Sequence, residues 1–307
     1  MEKLILSIAD LSIAVCLEED LEFLIKPFTV IFDGFLGKTG KSKAILNISY
    51  DYFNIWPEFG DVPVELRQID LPECTEFVNT VGSVYQLSKH SVVIGYLNGC
   101  LAYNFNSRTG HVIIFRSEKS DMIMGSFLKL LFVFVSLIAA EENKFMVHGA
   151  GIDGEGRGYL FLGQSGAGKT TVAGFARKED VLSDDSPVLG SVNGKFYIYS
   201  SPFSQVNLFD KKSKNQRRKR VQLNKLFFLI KGEELSVKKR ERRSALAEIM
   251  TRHIHGFEFM DKNCRIAAFS FCSDLCSRIP AYDLHFQKNG KYWDALASIE
   301  DSQSTLP

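Results

Sequence analysis

The sequence predicts an α/β fold in two parts, a smaller β-rich (α+β) unit at the N-terminus followed by an α/β domain. Three observations predict it. At 307 residues the chain is long enough for about two domains. Up to residue 120, short β-branched and aromatic runs alternate with turn signals; beyond 143, strand-like and helical runs are mixed. Between them, Met122 to Ala140 is an apolar stretch that reads as a buried connecting helix over 121–142.

The elements follow in chain order. Leu4–Leu6, Thr29–Phe32, Ala44–Ile48, Val92–Ile94 and His111–Phe115 read as strands, punctuated by Asp33-Gly34, Asn98-Gly99 and Thr109-Gly110 as hairpin turns. Glu18-Glu19-Asp20 opens a short helix. Residues 1–120 hold no catalytic constellation, so a structural or partner-docking domain is expected there. The unbroken apolar core of the next stretch runs from Leu130 to Ala140, with Lys129 interrupting its approach. A bilayer span takes about 20 apolar residues, so a core helix is expected and no membrane contact. In the domain over 143–307, Phe145–Val147, Gly158–Leu162, Asp180–Ser183, Lys195–Tyr199 and Leu226–Ile230 read as strands. Helices are expected from Lys169 to Arg177, Ala245 to Met250 and Ser270 to Ser277.

Composition narrows the class. Apolar residues make up 45% and charged residues 24%, which excludes a disordered chain and a collagen-like fibre. Six cysteines at irregular spacing do not form a disulfide framework, and the first residues lack the basic and apolar regions of a secretory signal. A cytoplasmic protein is expected. The net charge of +1 provides no whole-molecule field for nucleic acid or membrane. Basic residues concentrate in Lys211–Arg220 and Lys238–Arg243. The first run has no interleaved aromatics for base stacking; it reads as a solvated loop, as a surface for an acidic peptide or phosphorylated substrate, or, least of all, as a nucleic-acid contact. Cys264, Cys272 and Cys276 have no second matching pair for zinc and read as buried thiols, and His253-x-His255 sits in a basic stretch.

One motif carries chemistry. Gly163-Gln-Ser165-Gly166-Ala167-Gly168-Lys169-Thr170 matches G-x-x-x-x-G-K-[ST], the P-loop pattern, after an apolar strand and before a helix. Its glycines permit dihedrals closed to other residues, so that successive N–H groups can turn toward a phosphate. The following helix presents its positive end, and Lys169 adds a cation for the β- and γ-phosphates. Thr170 can ligate Mg²⁺, with Thr171 beside it. ATP and Mg²⁺ are the expected cofactors.

Val181-Leu-Ser183-Asp184-Asp185 places two carboxylates at the end of a short strand, where ligand crevices of parallel α/β sheets lie. One can hold Mg²⁺ and the other can take a proton from an attacking hydroxyl. Alone, the pair would read as a solvated turn; the P-loop before it favours the catalytic reading. His148, at the end of the strand before the P-loop strand, could hydrogen-bond a carboxylate or serve as a structural histidine.

In this order, Val147-His148-Gly149, the P-loop and Leu182-Ser183-Asp184-Asp185 resemble the C-terminal domain of HPr kinase/phosphorylase and its wider group of serine kinases. Ser201-Pro202-Phe203, Leu226–Leu229 and Leu275–Tyr282 are similar to segments of that wider group, and the likeness covers about residues 141–295. The resemblance implies a P-loop domain related to phosphoenolpyruvate carboxykinase. It implies Asp184 as general base, Asp185 as the neighbour that contacts histidine or metal, and His148 as the histidine of the cluster. It also implies phosphate and metal roles for Lys169 and Thr170, and transfer to a serine hydroxyl of a protein, a peptide or free serine. Ser200–Ser204 and the basic run stand where HPr kinases carry a glycine-rich segment with an acidic residue, which points away from HPr itself as acceptor. A homo-oligomer is possible on the same likeness. Two function classes follow: a kinase, or a nucleotide-responsive binding module whose ATP state controls docking of a partner.

Overall fold

The computed structural model describes residues 2–37, 42–51, 67–68, 83–88, 90–96, 99–115, 120–203, 219–232 and 234–286. It is mixed α/β with two sheets, and the chain divides into two compact units, Met1–Asn143 with His255–Ala267, and Lys144–Ile254 with Ala268–Pro307.

In the first unit, β1 (Glu2–Ile8) and β2 (Leu11–Leu17) form a hairpin. Its turn places Ala9 and Asp10 at φ +50° and +62°, the left-handed pair that suits strand twist. A 3₁₀ turn at Glu19–Leu21 leads into α1 (Glu22–Ile31). This corrects the strand expected at Thr29–Phe32. β-branched residues there mimic a strand, but Leu21, Leu24, Phe28 and Phe32 recur at helical spacing and are all fully buried. Asp33–Phe35 is a single 3₁₀ turn and not a hairpin turn.

β3 (Ala44–Asp51), β4 (Arg67–Gln68), β5 (Ser83–Ser88), β6 (Ser91–Tyr96), β7 (Gly99–Asn104) and β8 (Thr109–Phe115) complete a sheet of order β1-β2-β3-β8-β7-β6-β5-β4. Thr109-Gly110 therefore lies within a strand. The turn comes just before it, where the Asn104 side-chain oxygen accepts from the amides of Asn106 and Ser107 and Arg108 takes φ +54°. Asn98 lies outside the described residues. Gly110 is a glycine because α2 (Ser120–Glu141) crosses it: a Cβ there would sit 2.6 Å from Phe134. By length and composition, Ile123–Glu141 could cross a membrane, yet 89% of that window is buried within the protein.

The second unit begins with β9 (Phe145–Met146), β10 (Gly149–Gly154) and β11 (Arg157–Leu162). After α3 (Lys169–Phe175) come β12 (Val181–Ser183), the hairpin of β13 (Val188–Val192) with β14 (Lys195–Tyr199), and the long β15 (Arg220–Lys231). β16 (Ser236–Lys239), α4 (Arg242–Glu248), a π-helical turn at Ile249–His253, α5 (Lys262–Arg278) and β17 (Ala281–Phe286) follow. α5 starts eight residues before the expected Ser270. The sheet runs β12-β10-β11-β15-β14-β13-β9, with β17 beside β15 and β16 outside it. β11, β15 and β17 are parallel. Ala150, Ile152, Phe161, Val172, Phe227, Leu229 and Leu284 pack α3 onto this sheet and fix the loop before it.

Residues 211–218 of the first basic run lie outside the described residues. Its end is engaged: Lys219 pairs with Asp153 at 2.5 Å, and the Arg220 guanidinium lies 5.1 Å from the Tyr197 ring centre. Cys264, Cys272 and Cys276 are buried free thiols, with burial raising Cys264 to about 12 and Cys276 to about 11.

Candidate functional site

The glycine-rich loop, Gly163–Thr170, leaves the carboxyl end of β11. A Cβ on Gly163 would lie 2.9 Å from that of Ala167 and 3.2 Å from that of Leu229, so the loop is tightly folded over β15. Gly166 and Gly168 take φ +72° and +113°, and a Cβ on Gly168 would meet the Phe286 ring at 2.5 Å. Gln164, Ser165, Gly166 and Thr170 are exposed at its apex, with Ala167, Gly168 and Thr171 partly covered. Lys169 is buried, and its ammonium donates to the carbonyl oxygens of Gly163 at 2.8 Å and Gln164 at 3.1 Å. The lysine thus closes the loop on itself. α3 has only two turns, so a small dipole stands behind it and the loop's own amides and Lys169 dominate any anion attraction.

The strand before β11 is β10, and it is antiparallel. The strand expected at Phe145–Val147 is β9, and His148 lies just past it, in the short link to β10. The antiparallel register pairs Gly149 with Leu162, which sets His148 at the same sheet end as the loop. β12 pairs with the other side of β10, so its carboxyl end also points that way. The Ser183 hydroxyl stitches the turn that follows, accepting from the amides of Asp185 at 3.4 Å and Ser186 at 3.0 Å.

The two aspartates differ. Asp185 accepts from the Ser186 hydroxyl at 2.9 Å, and its backbone carbonyl accepts from Gly149 N at 2.8 Å. Its other carboxylate oxygen faces His148 Nδ1 at 3.4 Å. Asp184 is 8% exposed, and its Oδ1 meets no hydrogen-bond donor among the described residues. A buried carboxylate oxygen left open is costly unless something completes it. His148 is pushed down to about 3, by burial first and then by the nearby Lys169 and His253 charges. The contact with Asp185 is therefore that of a neutral imidazole, and not an ion pair.

His253 is the residue that sequence reasoning missed. It is fully buried; its Nδ1 donates to the His148 carbonyl at 2.9 Å, and its own carbonyl accepts from His148 N at 2.8 Å. The two rings stack with an interplanar angle of 10°. Glu248 Oε1 lies 3.6 Å from His253 Nε2, and its Oε2 accepts from Arg240, which also binds Asp283 and covers the Phe228 ring at 4.1 Å. Part of the second basic run is thus internal scaffolding. The sequence carries one signal for it, the spacing His253-x-His255.

Among the described residues no cluster of three His, Cys, Asp or Glu side chains could hold a metal ion alone. Mg²⁺ takes one or two carboxylates and completes its shell with water and phosphate oxygens. The carboxylates of Asp184 and Asp185 and the Thr170 hydroxyl are of the type such an ion accepts, and the open Asp184 oxygen is compatible with a cation or a hydroxyl donor.

No curated protein matches the chain. The family model described as SynChlorMet cassette protein ScmC matches residues 113–300, a span that contains the loop, both aspartates and both stacked histidines. Since the match takes in more than half of the sequence, this chain belongs to the ScmC family of SynChlorMet cassette proteins.

Proposed function

We propose that the chain is an ATP- and Mg²⁺-dependent kinase of the HPr kinase-like P-loop type, related in fold to phosphoenolpyruvate carboxykinase. It transfers the γ-phosphoryl group to a hydroxyl, that of a serine in a peptide or protein or of a small molecule. The observation that carries this reading is the open, buried oxygen of Asp184 at the sheet end where the glycine-rich loop emerges.

In this reading the loop amides and Lys169 bind the polyphosphate, Lys169 exchanging its two carbonyl partners for phosphate oxygens. Thr170 and Asp185 are the side chains that would hold Mg²⁺, which when bound would supply charge neutralisation to the polyphosphate. Asp184 accepts the proton of the acceptor hydroxyl as the new O–P bond forms and the bridging bond to ADP breaks. His148 and Ser186 orient Asp185.

The test is transfer of label from γ-labelled ATP with Mg²⁺ to free serine, HPr and serine-containing peptides. Wild type should label one acceptor class. Asp184→Asn should lower transfer by about 10²- to 10⁴-fold, as loss of a general base does, while ATP binding persists. Wild-type transfer by Asp184→Asn would overturn the assignment of the base. ATP binding with no transfer to any acceptor would favour the nucleotide-responsive docking module instead.

A further inference from the structure

β15 continues beyond the point where β11 ends. In the parallel register Leu162 lies beside Phe228, so Leu229, Ile230 and Lys231 run on alongside the glycine-rich loop. Residues two apart share a strand face. Leu229 backs Gly163, its Cβ 3.2 Å from where a Cβ on that glycine would stand. Lys231, on the same face, comes over the loop apex: its Nζ is 3.9 Å from the Cβ position of Gly166. Its neighbour in β17, Phe286, packs under Gly168, so the backbone carrying Lys231 is held by its pairing with β17.

The two lysines at the loop differ in situation. Lys169 is buried, and its ammonium is committed to two loop carbonyls. Lys231 is exposed, and its ammonium makes no ion pair among the described residues. A solvated cation on a flexible stem beside an exposed Gly-rich apex is suited to a polyanion approaching from solvent.

We propose that Lys231 is a second phosphate-binding residue of this site, one that contacts the terminal phosphate of a nucleoside triphosphate. This rests on the nucleotide-binding part of the reading above. Because Gly166 is at the loop apex, the contact selects for polyphosphate length: a triphosphate gains from it, and a diphosphate gains less.

The experiment is equilibrium binding of ATP and ADP, each with Mg²⁺, to the full chain, for wild type, Lys231→Ala, Lys231→Arg and the control Lys239→Ala, an exposed lysine on β16. Lys231→Ala should weaken ATP binding by about tenfold, the size of one charge-assisted contact, and ADP binding by less than half that factor. Lys231→Arg should restore ATP binding, and Lys239→Ala should leave both nucleotides unchanged. Equal ATP affinity in wild type and Lys231→Ala would overturn the role of Lys231 while leaving the nucleotide site intact. Equal losses in Lys231→Ala and Lys239→Ala would also overturn it, since a general surface field would then suffice. Failure of wild type to bind either nucleotide would overturn the nucleotide site and this contact together.

Discussion

At the scale of single residues, the site is a set of tasks divided between near neighbours. Asp184 keeps an open oxygen while Asp185 accepts from Ser186 and faces His148; Lys169 is tucked into the loop while Lys231 stands outside it. Both aspartates and Lys169 were legible because their spacing is local. His253 was not, since it meets His148 across 105 positions and only the folded chain brings them together. The support behind His253 is testable through Glu248. His253 first, and then Arg240, holds this carboxyl below its ordinary value of 4.5. With the folded value below the unfolded one, the unfolded chain binds more protons as pH falls, so the stability is present above about pH 4.5 and is lost below it. Glu248→Gln should cost about 1 kcal/mol near neutral pH, the modest size expected for a part-exposed charged network. It should also flatten the acid side of the stability profile. Urea melts at about pH 7 and about pH 4 would show it, and parallel losses in both proteins would refute it.

At the scale of elements, periodicity was a better guide than residue type. The strand expected at Thr29–Phe32 is the end of a helix, because four apolar residues at helical spacing outweigh a β-branched run. β2 (Leu11–Leu17) and β17 were not anticipated at all. The first is apolar on both faces, and the second follows a helix whose polar composition hid its first two turns. α2 was legible as a buried helix, and its glycine partners give opposite predictions. Gly110→Ala would drive a methyl to 2.6 Å from Phe134 and 2.8 Å from Leu46, and should cost about 1–3 kcal/mol. Gly125→Ala, on the exposed side of α2 with nothing within 4 Å, should gain about 0.5–1 kcal/mol by relieving helical entropy. Thermal melts of the two variants should move in opposite directions; a common direction would contradict the packing described for α2.

At the scale of the whole molecule, the chain leaves the first unit after Asn143, returns to it for His255–Ala267, and then completes the second. The matched family span starts within β8, ahead of α2, and so includes that return segment. The sequence reads as two consecutive parts, and nothing in it marks the 13-residue piece of the later half that lies with the earlier one. Its anchors are contacts and not motifs: His255 meets Phe132 edge-on, and Gly256 fits against Ser136. A fragment of residues 1–143 should therefore expose apolar surface and bind a hydrophobic dye, whereas the full chain should not. A monomeric fragment with a cooperative melt and no dye binding would show that the return segment is dispensable.

β10 stands between the strand that launches the glycine-rich loop and the strand that delivers the aspartates. Two strand spacings, about 9–10 Å, therefore separate their ends, and hydrogen-bond geometry sets that gap. β10 can be so placed because it is thin: a Cβ on Gly151 would meet Ile198 at 2.8 Å, and one on Gly149 would meet the Phe161 carbonyl at 2.9 Å. It works as a ruler, holding cation-bearing loop and carboxylate turn at a fixed reach that drift in either loop's sequence leaves unchanged.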